Sequence, residues 1–317
     1  MSQRTIMELN HDFGHRINDD PGGLVSLIME VIRGDLFHED VPDDWIDRVF
    51  AVMALAPQHT FQVLTKRADR MRAYMIGERY SVVDAAVEIT SNARGNIAGI
   101  VQRENMDKRG DWPLPNVWLG VSAEDQPRAD ERIPHLLATP AAVRFVSVEP
   151  MLGPVDLEPY VSSAWSTDHH EWPKLGNLDW VIVGGESGPG ARPMHPHWAR
   201  GLRDQCVAAA VPFFFRQWGA WICAGQQDET RLRTPPSGDE IKWLREDGLV
   251  SVRPISALTP GGLDDSDGET KIVGGEEVTV FPDHNWLPVS CVGKARAGNL
   301  LDGKLWQQFP ATLEDRA

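Results

Sequence analysis

The chain predicts an α/β fold with a parallel sheet, on three observations. Four short apolar strands each run into a charged or glycine-rich turn, at residues 61–67, 117–125, 144–149 and 180–187. Helical stretches separate them at a spacing of roughly 30 residues where the pattern is clearest, the length of one βα unit. The chemically active side chains cluster at strand ends, which in a parallel sheet lie on one rim, where ligands of such folds bind.

The bulk numbers narrow the field. A length of 317 residues with 42% hydrophobic content allows one large α/β domain, or one domain with a smaller appendage. The net charge of −15, from 46 acidic and 31 basic side chains, repels nucleic acid and anionic membrane, so neither is an expected partner. No run of about 18 apolar residues is present, so no membrane span is predicted. The opening Met-Ser-Gln-Arg-Thr lacks the apolar region of a signal peptide. Only Cys206, Cys223 and Cys291 occur, too widely spaced for a disulfide framework or a metal knuckle. A reducing cytoplasm is the expected compartment.

The elements follow in order. Residues 1–34 carry Leu24, Leu27, Ile28, Val31 and Ile32, a spacing that suits either a helix or a buried strand. A polar loop at 35–42 precedes a helix that Asp43 can cap, with Trp45, Ile46, Val49, Phe50 and Met53 as its apolar stripe. A strand at 61–65 leads to a helix with Met71 and Tyr74, and residues 81–108 read as helical. Pro113 and Pro115 break that helix before a strand at 117–121. A helix near 128–138 presents Ile133, Leu136 and Leu137, with Glu124, Asp125 and Gln126 as its capping group. A strand at 143–148 ends at Glu149, a loop spans 151–176, and a strand at 179–183 opens into the glycine-rich loop 184–193. Pro196 starts a helix with Trp198, Leu202 and Cys206 inward, and a strand at 212–218 closes the series. The expected organisation is a divergent segment 1–34, a core 35–222, an acidic Gly/Pro-rich appendage 223–290 with a strand at 276–281, and a tail 291–317. Leu300, Leu301, Trp306 and Phe309 can dock that tail on the core.

The loop after Val183 carries the sharpest chemical signal. Gly184, Gly185, Gly188 and Gly190 allow close backbone approach, Ser187 adds a hydroxyl, and Arg192 adds a cation near a helix start. An anionic ligand, phosphate or carboxylate, is its natural guest; a tight turn needing positive φ is the other reading. Glu149 and Glu186 end neighbouring strands and suit acid–base work, an amino group, coordination of a metal, or simple pairing with cations such as Lys66, Arg67 or Arg216. Lys66 and Arg67 can clamp a phosphate or carboxylate or equally form a solvated helix start, although cations there oppose the helix dipole, which tips the reading toward a ligand or carboxylate partner. His38-Glu39-Asp40 and His195-Pro-His197 lack the spacing of a zinc cage, so no metal is assigned. No residue is assigned a catalytic role.

Five segments in this order resemble one family: 36–42 (Leu-Phe-His-Glu-Asp-Val-Pro), 60–67, 116–122, 144–150 and 179–188 (Asp-Trp-Val-Ile-Val-Gly-Gly-Glu-Ser-Gly). It is the uncharacterised phage and prophage family named after phage gene products 37 and 68, and residues 292–304 are similar to its C-terminal signature. The likeness covers roughly 35–222 and 291–310. That family resembles radical S-adenosylmethionine enzymes. The resemblance therefore implies a partial parallel (β/α) barrel of incomplete TIM type, S-adenosylmethionine as a candidate ligand, and a bacterial host or phage-infected cell. It also implies an N-terminal three-cysteine segment holding a 4Fe–4S cluster, but no cysteine precedes Cys206, so this chain is not expected to hold one.

Three functional expectations follow. One is a module without a cluster that binds a nucleotide-like or other anionic ligand through Lys66, Arg67, Glu149, Gly184, Gly185, Glu186, Ser187 and Arg192. The second is an enzyme whose cluster comes from a protein partner. The third is an inactive, truncated gene product.

Overall fold

A computed structural model describes residues 35–56, 59–76, 112–161, 177–223, 241–245, 250–251, 269–273, 276–280 and 286–310. The expectations for residues 1–34 and 81–108 lie outside the described residues, as does the 162–176 part of the expected loop. The chain divides into two compact units, one of residues 1–121 with 135–144 and one of 122–134 with 145–317.

In the first unit, helix α1 (Asp43–Ala54) precedes strand β1 (Phe61–Thr65), helix α2 (Ala68–Ile76) and strand β2 (Val117–Ser122). β1 and β2 pair in parallel from Phe61↔Val117 to Thr65↔Val121. α1 buries Ile46, Phe50 and Met53 as its spacing predicts, whereas Trp45 is exposed. One residue is about 100° round a helix, and that turn places Asp47 rather than Trp45 beside Ile46 on the inner face. The Asp47 carboxylate is buried and accepts a hydrogen bond from the Tyr74 hydroxyl at 2.7 Å. Asp43 does not cap the helix; Pro42 takes that place without a side-chain bond. Asn116 closes this unit by donating to the carbonyls of Met53, Ala56 and His59.

The second unit holds most of helix α3 (Gln126–Leu137) and of strand β3 (Val143–Val148), then helix α4 (Glu158–Val161), strand β4 (Trp180–Gly184), helix α5 (Pro196–Ala208) and strand β5 (Phe213–Gln217). Asp125 caps α3 by accepting the Arg128 N–H, so of the three residues expected to cap it one does so. α5 begins at Pro196 and buries Trp198, Leu202 and Cys206, as expected. The strands form one five-stranded parallel sheet in the order β1-β2-β3-β4-β5, alternating with helices. That order is linear, and no closed barrel occurs among the described residues.

Beyond β5 the chain turns antiparallel. Strands β6 (Trp221–Cys223), β7 (Ile241–Arg245), β8 (Val250–Ser251) and β11 (Trp286–Cys291) form a sheet of order β6-β11-β7-β8. Strands β9 (Glu269–Val273) and β10 (Glu276–Val280) pair as a hairpin, so the strand expected at 276–281 is present. A short helix α6 (Lys294–Ala297) leads to the hairpin β12 (Leu300–Leu301) and β13 (Lys304–Leu305).

The following residues lie along the edge of β5. Phe215 N–H donates to the Trp306 carbonyl, Gln308 N–H to the Phe213 carbonyl, and Phe214 bridges Gln307 antiparallel. The backbone groups a bare edge would expose are thus paired.

The hairpin turns through Asp302 and Gly303, both at positive φ, the Asp-Gly pattern of a two-residue turn that matches strand twist. The Asp302 carboxylate is held by Arg200 at 2.6 Å and Arg203 at 2.9 Å, both on α5. Asp302→Ala loses both bonds and strains a left-handed residue. It is expected to cost about 1–2 kcal/mol in urea unfolding, and an unchanged midpoint would disprove this anchoring role.

Candidate functional site

The second unit gathers its strand-end side chains around Glu149. This residue follows β3, and its carboxylate lies against Gly184, the last residue of β4. A Cβ on Gly184 would stand 2.8 Å from the Glu149 Cδ, so a larger residue there would push the carboxylate out of its place.

β5 supplies the partners through a bulge. Val183 pairs with Phe215, but Gly184 pairs with Gln217, leaving Arg216 as the extra residue. Two consecutive residues that a regular strand would point to opposite faces thereby reach the same carboxylate. Arg216 Nη1 donates to Glu149 Oε2 at 2.9 Å, and Gln217 Nε2 donates to Oε1 at 2.8 Å. The Glu149 side chain is 14% exposed and that of Arg216 56%, so the pair has one buried and one solvent-facing end.

Glu186 and Arg192 form the second pair, across the glycine loop. Arg192 donates from Nε and Nη2 to the two carboxylate oxygens, each at 2.8 Å, and its backbone N–H adds a third bond. This bidentate guanidinium holds the Glu186 carboxyl below the usual range, and Glu186 in turn raises Arg192. The Arg192 side chain is 58% exposed. Between the two residues, Gly188 and Gly190 adopt positive φ with open space where a Cβ would lie, and Ser187 is exposed.

A third pair was read from the sequence only as a helix cap. Glu124, two residues beyond β2, takes Arg132 Nη1 at 3.0 Å, with both side chains largely buried. Arg132 also donates to the Ser122 carbonyl, and Glu124 adds to the field that raises Arg192. Its signal was legible: Ser-Ala-Glu after β2 parallels Val-Glu-Pro after β3 and Gly-Glu-Ser after β4. Three successive strand ends thus carry a glutamate, each paired to its own arginine.

Gly185 serves a different contact. A Cβ there would overlap the Trp218 carbonyl, and one on Gly219 would overlap the Glu186 carbonyl. The Gly185 N–H donates to the Gln217 carbonyl at 2.8 Å and the Ala220 N–H to that of Glu186 at 2.7 Å, so the two turns interlock. Gly184 and Gly185 therefore admit protein groups, whereas Gly188 and Gly190 face open space.

Lys66 and Arg67 belong to the first unit, at the end of β1. The carboxylate partner there is Asp35, which accepts from Thr65 Oγ1 at 2.6 Å, Lys66 N–H at 3.2 Å and Arg67 Nη1 at 2.8 Å. Burial pushes its pKa up, but these donors outweigh burial and hold it below the usual value. Arg67 and the start of α2 thus receive an internal anion. Arg70 extends the clamp, donating to the carbonyls of His38 and Val41 and to Asp43.

His195 caps α5, its Nδ1 accepting the His197 N–H at 3.2 Å. Among the described residues no group of three or more His, Cys, Asp or Glu side chains can hold a metal ion. No described helix is long and apolar enough to cross a membrane.

The pattern described as protein of unknown function (DUF5131) matches residues 26–310, nearly the whole chain. The chain belongs to this family. The DUF5131 match runs through the antiparallel segment as well as the parallel sheet, so both are parts of the family's protein. No curated protein and no solved structure matched the chain. Within this DUF5131 chain, the three strand-end glutamate–arginine pairs lie between Ser122 and Gln217.

Proposed function

We propose that the rim after β2, β3, β4 and β5 binds a nucleotide-like or other anionic ligand, in a radical S-adenosylmethionine-like partial barrel of phage type without its own cluster. The observation that carries this reading is the pair of exposed guanidinium groups on Arg192 and Arg216, each tethered by a carboxylate. A tethered arginine has lost side-chain freedom before the ligand arrives and still has N–H groups to offer a phosphate or carboxylate. The open backbone at Gly188 and Gly190 lets such a group come close.

The chain is not expected to hold a 4Fe–4S cluster, since among the described residues no three His, Cys, Asp or Glu side chains come together that could hold a metal ion. Cluster ligands are thiolates, and burial pushes the Cys206 thiol up to about 12 and the Cys223 thiol higher still. S-adenosylmethionine carries a carboxylate that Arg192 can take, which keeps it among the ligands to try.

The test is calorimetric titration of the full chain with AMP and with S-adenosylmethionine. Saturable binding by either is expected, weakened by about tenfold or more in Arg192→Ala and reduced in Glu186→Ala. Affinities unchanged in both variants would reject this placement of the site.

A further inference from the structure

We propose that Glu149 and Gln217 form a subsite that reads an amino group on the bound ligand, an exocyclic amine or an ammonium. The inference rests on the anionic-ligand reading above and adds the second recognition element of that site. Its starting point is the Gln217 amide. Its nitrogen donates to Glu149 Oε1 at 2.8 Å, which fixes the orientation, because the flipped amide would set two acceptors against each other. The amide oxygen is then committed to the other side. Gln217 is 5% exposed, and its Oε1 is buried with no hydrogen-bond partner. A buried carbonyl oxygen seldom goes unpaired, and it sits on the same planar group that grips the carboxylate.

Several features hold this arrangement in place. The bulge in β5 brings Gln217 and Arg216 to one carboxylate, and Gly184 supplies the space the Glu149 side chain crosses. Glu149 accepts two bonds, while a carboxylate has about four acceptor positions. The subsite therefore holds a carboxylate with spare acceptor positions and an amide oxygen without a partner, acceptors both. A hydroxyl has one proton to give and cannot serve two acceptors. A nitrogen bearing two or three protons can, and the glutamate charge favours it further when it is cationic. Arg192 and Arg216 take the anion, so the ligand class is an anionic molecule that also carries –NH2 or –NH3+.

The experiment uses the full chain and two matched probe pairs in calorimetry. AMP against IMP tests an exocyclic amine; O-phosphoethanolamine against ethyl phosphate tests an ammonium. Preference for the amine-bearing partner by about tenfold in either pair is expected. The pair that shows it identifies the source of the amino group. Gln217→Met, of similar length without an acceptor, is expected to reduce that preference to about twofold. Glu149→Gln provides a second variant with the same expectation of lost preference, should Gln217→Met fail to fold. If IMP and ethyl phosphate bind, lose affinity in Arg192→Ala, and match their amine-bearing partners in the unmodified protein, the subsite is overturned and the anion site stands. If no probe binds, both readings fall.

Discussion

Gly185→Ala is expected to destabilise the protein by about 3 kcal/mol or more, lowering the thermal midpoint by about 5 °C. The added Cβ would overlap the Trp218 carbonyl, a backbone atom that cannot swing aside. Trp218 is itself fixed: its backbone N–H donates to the Gly298 carbonyl, its indole to that of Leu300, and its ring is fully buried against Phe215. Relief requires the 184–186 and 217–220 turns to part, which also breaks the Gly185–Gln217 bond, a further cost of about 1 kcal/mol. Gly188→Ala is the control. Its φ of 103° strains an alanine, but the space around it is open, so the cost is about 1–2 kcal/mol. Thermal unfolding followed by circular dichroism separates the two. A Gly185→Ala midpoint at or above that of Gly188→Ala would show that the turns do not interlock as described.

The same contact explains which parts of the site the sequence could announce. Strand β3 is readable to the residue, because Val143, Phe145, Val146 and Val148 make a short valine-rich segment that ends at a charge and a proline. Glu149 and Glu186 followed from it as rim residues. Gln217 did not, because its role depends on a bulge, a property of how β4 and β5 pair rather than of either segment alone. Glu124 was visible but outweighed: an acidic residue before a helix is usually a cap, and Asp125 beside it does cap α3. Arg67 was read as an anion clamp on sound grounds, since a cation at a helix start needs a counter-charge. The carboxylate that answers it is Asp35, thirty-two residues earlier, a separation over which residue patterns carry no pairing information. In the antiparallel segment, β11 sits between β6 and β7 across gaps rich in glycine, proline and acid, so no local period betrays the partnership.

Acidification is expected to remove up to about 3 kcal/mol of stability through His195 alone. Burial, reinforced by His197 and Arg200, brings its pKa down from 6.5 to about 4. The neutral ring suits the fold because Nδ1 must accept the His197 N–H, and in a protonated imidazole both nitrogens are donors. Nε2 is buried without a hydrogen-bond partner, so a charge placed there would be unsatisfied. The sign follows from proton binding. Between pH 6.5 and about 4 the unfolded chain carries a proton on this ring that the folded chain does not. Its contribution is therefore whole above pH 6.5, declines as the pH falls through that window, and is gone below about 4. Other groups titrate in the same range, so the measurement is a difference. His195→Asn keeps a side chain that can cap α5 but removes the titration. Urea unfolding of both proteins at pH 7 and near pH 4 is expected to show the gap in stability changing by about 3 kcal/mol in the variant's favour as the pH falls. Parallel pH profiles for the two proteins would mean that His195 is protonated in the fold as readily as in the unfolded chain.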